Sequence, residues 1–317
     1  MNTNSIFFTD TISGGIISSI ELSNSSFEFD HMGMKIEITF PDLRLDKNDF
    51  LPPVLTIPSK FGQFNFEDST MDWGDAISFT SDFNPVKILV KRVAVQVSSD
   101  LESEILIERI VSCWDAFWRR LQVWIEIFTE QNLATGTTYL NRGKNFVFSK
   151  INSNNTFQNH IVAKIFEGPV YEYKTLTRYL MEAISNKISL SEEPTLVTLL
   201  LNEARLSKIA LDSRIAAVNA FVALEIILTK RIEDLNINPD YQFNLGVRDR
   251  KFDLNKSTLG TKVQIYQELD PRPIKRLTTD LVKYRNKLFH EGLEGPQGLH
   301  EEIIELVQTL MNMDLGN

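Results

Sequence analysis

Tyr284-Arg285-Asn286-Lys287-Leu288-Phe289-His290-Glu291-Gly292 closes a strongly periodic stretch near the C-terminus, and its reading decides the second half of the chain. Ile274, Leu277, Leu281, Tyr284 and Leu288 recur at helical spacing; at about 100° per residue they fall within about 40° of one direction. That is the face a bundle helix buries. On the same wheel Asn286 points about 160° and His290 about 200° from that face, with Arg285 near its boundary at about 60°. Val282 and Phe289 make a second apolar strip beside the polar pair. His290 is therefore on the wrong side for a core histidine. Two readings stay open. A histidine in the last turn, with Gly292 as a left-handed cap, complements the helix dipole. Alternatively, Arg285, Asn286 and His290 form a site.

Working outward, the chain from Ser191 onward reads as almost entirely helical. Pro194 suits a first helical turn. The apolar run to Leu235 is too long for one ordinary helix and breaks near Leu211-Asp212-Ser213, where Asp212 or Ser213 can cap a second helix. Residues 236–258 are polar and loop-like, a helix follows near Thr261–Leu269, and Pro273 begins the helix that ends at His290. Gly292, Gly295, Pro296 and Gly298 connect to a last helix over His300–Met313. Antiparallel helices with short connections amount to a bundle.

The first half has a different texture. Gly14-Gly15 separates two short apolar runs, and Phe27–Asp30 and Met34–Phe40 alternate with period two, as half-buried strands do. Val86–Val97 is a further strand. Ser99 and Glu102 fit a capping box, opening a long helix over 99–131 with Ile107, Ile110, Trp114, Phe117, Leu121, Trp124 and Phe128 on its core face. Three Trp on one helix suggest a base-stacking platform, but core spacing favours packing on the sheet. Strand-like text returns at Asn145–Lys150 and Ile161–Phe166, before a short helix over Tyr173–Ile188. His31 and His160 read as turn or surface residues, and His300 as a surface or cap residue. The expected class is α+β: a β-rich N-terminal domain with a long helix over 1–190, followed by an all-α bundle over 191–317.

With 317 residues, 43% of them hydrophobic and 24% charged, the chain is that of an ordinary globular protein, long enough for two domains or three. A single cysteine, Cys113, excludes an internal disulfide and any multi-cysteine metal site, and its apolar neighbours mark it as a buried thiol. No His/Asp/Glu cluster has ligand spacing, so a metal hydrolase is disfavoured and no metal is expected. The N-terminus has no basic start or sustained apolar run, and no stretch approaches a membrane span, so a cytoplasmic protein is expected. Net charge is −9, which argues against non-specific coating of nucleic acid. Between Arg272 and His290, however, six basic residues face Asp280 alone, a local +5. That patch suits either a solvated helix face or an anionic ligand.

Arg, then Asn, three residues and His near the end of a bundle helix resembles the motif of HEPN domains, a helical ribonuclease superfamily of prokaryotic defence systems and eukaryotic RNA decay. Val222-Ala223-Leu224-Glu225, Leu259-Gly260-Thr261-Lys262 and His290-Glu291-Gly292 extend the resemblance over about residues 191–317. It implies an all-α HEPN-like bundle and a metal-independent, cofactor-free endoribonuclease in which the RNA 2′-OH attacks the adjacent phosphorus. His290 would then be general acid or base, as imidazole titrates near neutral pH. Arg285 would neutralise the phosphorane and Asn286 would orient His290 or a phosphate oxygen. Lys275, Arg276, Lys283 and Lys287 would bind the RNA backbone. The resemblance further implies a homodimer with a composite active site, because one histidine does not easily serve as both acid and base. Glu225 reads as a buried or dimer-facing structural group. A toxin-like anti-phage effector follows, with residues 1–190 as sensor or regulator facing a partner or trigger. The alternative is a non-catalytic HEPN-like interaction or nucleotide-binding module.

Overall fold

The computed structural model describes residues 4–44, 49–51, 55–56, 63–64, 72–79, 85–133, 143–151, 157–166, 174–209, 212–235, 254, 257–270, 279–291 and 298–313. Backbone contacts divide the chain into two units, Met1–Glu193 and Pro194–Asn317. The architecture is α+β: the antiparallel sheets lie in the first unit, and the elements described in the second are helices.

In the first unit the main sheet comprises β1 (Asn4–Ser19), β2 (Ser26–His31), β3 (Met34–Thr39), β8 (Gly74–Phe79) and β9 (Pro85–Ser99). Two small hairpins, β4 (Asp42–Arg44) with β5 (Asp49–Leu51) and β6 (Leu55–Thr56) with β7 (Gln63–Phe64), lie between them in sequence. β9 is the axis. β1 pairs with it along nearly its whole length, from Asn4 opposite Ser99 to Ser19 opposite Lys87. Its other edge is shared: β8 takes Pro85–Val90 and β3 takes Ala94–Ser98. The two apolar runs flanking Gly14-Gly15 are one strand, interrupted by a bulge between Thr11 and Ile16. Only glycine fits at position 74, whose φ is +143° and where a Cβ would lie 2.0 Å from the Leu89 carbonyl oxygen. Met32 and Gly33, both at positive φ (51° and 75°), turn β2 into β3.

The long helix α1 (Ser103–Thr129) packs on this sheet through Leu106, Ile110, Phe117, Leu121 and Ile125, against Phe29, Ile36, Ile38, Val95 and Val97. Its N-cap lies three residues later than the capping-box reading, because Ser99 is still paired with Asn4 as the last residue of β9. The Ser99 hydroxyl accepts from the Leu101 N–H, and Glu102 caps the helix without a side-chain bond. Leu106 takes the buried position expected of Ile107, which is exposed. The tryptophans pack within this unit: Trp114 stacks on Trp118 at 5.8 Å, meets Phe8 edge-on and donates to Asp10 Oδ2 at 2.7 Å. Cys113 is buried, and burial pushes its thiol up from the ordinary value. His31 closes β2 with its ring 5.3 Å from that of Phe117.

Gln131, just past α1, ties distant backbone together. Its amide oxygen accepts from the Ile17 N–H at 2.7 Å, and its amide nitrogen donates to the Ile17 and Lys174 carbonyls at 2.9 and 3.1 Å. β10 (Gly143–Ile151) and β11 (Phe157–Phe166) form an antiparallel hairpin. α2 (Arg178–Ser189), capped by Thr177, adds Met181, Ile184 and Ile188 to the core.

The second unit is built on α4 (Ser213–Asp234), against which α3 (Leu196–Ile209), α5 (Leu259–Leu269) and α7 (Leu299–Asn312) pack. The break between α3 and α4 falls where Asp212 caps, its Oδ1 accepting from the Ile215 N–H at 3.0 Å. Ala216, Ala217, Ala220 and Ala223 are buried along α4, and such small side chains let neighbouring helices come close. Phe221, Leu224 and Leu228 fill the core between them with Val263, Tyr266, Leu288, Ile303 and Val307. Among the described residues no helix is long and apolar enough to cross a membrane.

Candidate active site

The Arg-Asn-His stretch lies at the end of α6 (Thr279–Asn286), which runs into a π-helical turn over Lys287–Glu291. This turn changes the wheel. With i→i+5 hydrogen bonding a turn takes more than four residues, so a fixed 100° step no longer applies after Asn286. Asn286 and His290 still share a face, four residues apart, and both are exposed. Leu281 and Leu288 are buried at 5% and 1% exposure and anchor the opposite face. Ile274, Leu277 and the proposed phosphate ligands Lys275 and Arg276 lie outside the described residues, as does Gly292. Lys287 is exposed, whereas Lys283 pairs with Asp280 at 3.0 Å.

The second apolar strip is divided. Val282 packs inside its own unit against α5, where a Cβ on Gly260 would come within 3.2 Å of Val282 Cγ1. Glycine at 260 thus lets α6 approach α5 closely. Phe289 remains 39% exposed and carries the Arg285 guanidinium over its ring, 4.6 Å from the centroid.

Arg285 is the point where three helices meet. Its Nη2 lies 3.7 Å from Glu225 Oε2 on α4, and its Nη1 is 3.5 Å from Asn286 Oδ1. The other oxygen of the same carboxylate, Glu225 Oε1, is 3.2 Å from Lys262 Nζ on α5. Lys262 is 5% exposed, while solvent reaches the Glu225 carboxylate, whose side chain is 32% exposed. Glu225, Lys262 and Arg285 come from the three segments Val222–Glu225, Leu259–Lys262 and Arg285–His290, more than 60 residues of chain folded onto one carboxylate. Glu225 therefore faces cations of its own unit.

In the sequence Lys262 is only the end of the Leu259–Lys262 segment, with no role given to it. Its signal is its position: with Leu259, Val263 and Tyr266 it occupies the buried stripe of α5, where a charge must find a partner. His300 is also buried, at 8% exposure in the first turn of α7, where a surface or cap position was expected. Burial holds its pKa below the ordinary value, with the Glu301 carboxylate opposing and Lys208 reinforcing that shift. His160 lies on β11 opposite Ser149, in the other unit. Among the described residues no group of three His, Cys, Asp or Glu side chains is placed to hold a metal.

Chemically, the arrangement offers an oriented guanidinium, an amide and an exposed imidazole along one helical edge. Compared with protein-family models, curated proteins and solved structures, the chain finds no match.

Proposed function

We propose that the Pro194–Asn317 unit is a HEPN-like, metal-independent endoribonuclease. The observation that carries this reading is the convergence on Arg285: the guanidinium is held between Glu225 and the Phe289 ring, with Asn286 beside it and His290 exposed on the same edge. In the reaction the 2′-oxygen bonds to phosphorus as the P–O5′ bond breaks, giving a 2′,3′-cyclic phosphate and a 5′-OH. The 2′-OH proton goes to a base and the 5′-oxygen receives one from an acid. His290 takes one of these roles, and His290 of a second copy in a homodimer takes the other. Arg285 donates to the non-bridging oxygens as charge builds on them. Asn286 orients the phosphate or His290, and Lys275, Arg276, Lys283 and Lys287 hold the flanking phosphates. The protein acts in the cytoplasm as a toxin-like defence effector, and the Met1–Glu193 unit senses the trigger.

The test is substitution. His290→Ala and Arg285→Ala each lower RNA cleavage by about a hundred- to ten-thousand-fold, the range for a lost proton-transfer or charge-stabilising group, with unfolding unchanged. Cleavage and toxicity equal to the unsubstituted chain would sink the reading. A second reading, a non-catalytic nucleotide- or partner-binding module, has one observation in its favour: Glu225 already occupies one side of Arg285. It predicts that both variants lose ligand binding in a protein that never cleaves RNA.

A further inference from the structure

Two cations and one carboxylate meet at the junction of α4, α5 and α6. Among the described residues Glu225 is the one carboxylate within ion-pair distance of either Lys262 or Arg285. The two contacts are unequal. Lys262 Nζ approaches Oε1 to 3.2 Å from a site that is almost fully buried, whereas Arg285 Nη2 stays 3.7 Å from Oε2, beyond a direct hydrogen bond. A buried ammonium cannot be left unpaired, so the negative charge of Glu225 is committed first to Lys262. What reaches Arg285 is direction more than neutralisation. The carboxylate edge and the Phe289 face set the plane of the guanidinium, which keeps most of its positive charge.

We propose that Lys262 is a positioning residue which, by holding the charge of Glu225, keeps Arg285 both oriented and available to a single monoanionic group, the phosphodiester of an RNA strand. This rests on the ribonuclease reading of the same edge and adds the source of its positive charge. The surplus is one unit of charge, which matches a phosphodiester monoanion and not a cation. Without Lys262, the partly exposed Glu225 would turn wholly to Arg285 and compete with the phosphate. Lys262 acts through Glu225 and touches no ligand.

The experiment measures binding of a fluorescent 2′-O-methyl RNA oligonucleotide, which lacks the attacking hydroxyl, to the full chain by anisotropy. Lys262→Met weakens binding about tenfold, and adding Glu225→Gln to it restores affinity to within about threefold of the unsubstituted chain, because the competing charge has gone. A purely structural lysine would not be rescued by removing its partner. Lys262→Met binding as tightly as the unsubstituted chain, or a double variant no tighter than Lys262→Met, overturns the proposal. If Lys262→Met alone does not fold, the double variant, which buries no charge, decides: affinity within about threefold supports the proposal and a loss beyond about tenfold overturns it. The two readings fail separately. If the chain does not cleave 2′-hydroxyl RNA, this order of affinities still stands or falls by itself. If it cleaves RNA but binds equally in all variants, the ribonuclease reading survives and the role of Lys262 does not.

Discussion

Buried polar groups do different work in the two units. In the first, Gln131 is neutral, 1% exposed and bonded to three backbone groups of Ile17 and Lys174. It gives the Ile17 N–H its side-chain partner and shares the Ile17 carbonyl with the Leu176 N–H, so its own amide is spent on backbone. In the second, Lys262 is charged, 5% exposed and bonded to another side chain, which in turn leans on Arg285 at the surface. Here a positive charge remains after the pairing. A buried polar residue whose bonds close on backbone builds architecture; one whose pairing leaves charge at an exposed edge is, in the function proposed above, what readies a ligand site.

The largest effect expected from this contrast is on stability. Gln131→Ala strips the buried Ile17 N–H of its side-chain partner, removes two further hydrogen bonds, and lowers the stability of the N-terminal unit by about 3 kcal/mol in chemical denaturation, with RNA affinity unmoved. Glu225→Gln leaves Lys262 with a neutral partner and costs about 2 kcal/mol, at the low end because solvent reaches the carboxylate. Unlike Gln131→Ala, it also tightens RNA binding, since the local surplus rises. Equal behaviour of the two variants, affecting stability alone, would erase the distinction.

A smaller effect concerns pH and rests on half-buried His31 and buried His300. Burial is the main cause that lowers both His31 and His300 from 6.5, with Arg120 reinforcing the shift at His31. Above that value neither state carries the proton. Below it the unfolded chain binds a proton that the folded chain resists, so stability falls as pH drops from 6.5 toward the folded-state values. His31→Gln flattens this slope for the N-terminal unit, measured as denaturation midpoints between pH 7 and about 5. A midpoint that rises on acidification contradicts the sign.

Local patterns made most elements legible. Alternation placed β2 and β3, the break at Leu211-Asp212-Ser213 placed the start of α4, and helical spacing placed α1. The misreadings arise where tertiary pairing overrides a local signal. Ser99 is a good cap in isolation, but β1 claims it for the sheet. The π turn after Asn286 is invisible to a wheel that assumes a constant step. At the candidate site, residue types singled out Arg285, Asn286 and His290, and the wheel exposed the last two correctly. The pairing of Glu225 with Lys262 and Arg285 was out of reach, because it joins positions on three helices whose packing no local pattern specifies.

The central claim is that His290 and Arg285 cleave RNA through its own 2′-hydroxyl. Its most direct measurement is the chemistry of the ends produced when the purified chain, triggered as needed, is incubated with RNA in the presence of EDTA. Cleavage by this route leaves 2′,3′-cyclic phosphate and 5′-hydroxyl termini, absent with His290→Ala and absent on 2′-O-methyl RNA. Cleavage that leaves 3′-hydroxyl and 5′-phosphate ends, or that persists in His290→Ala, would contradict it.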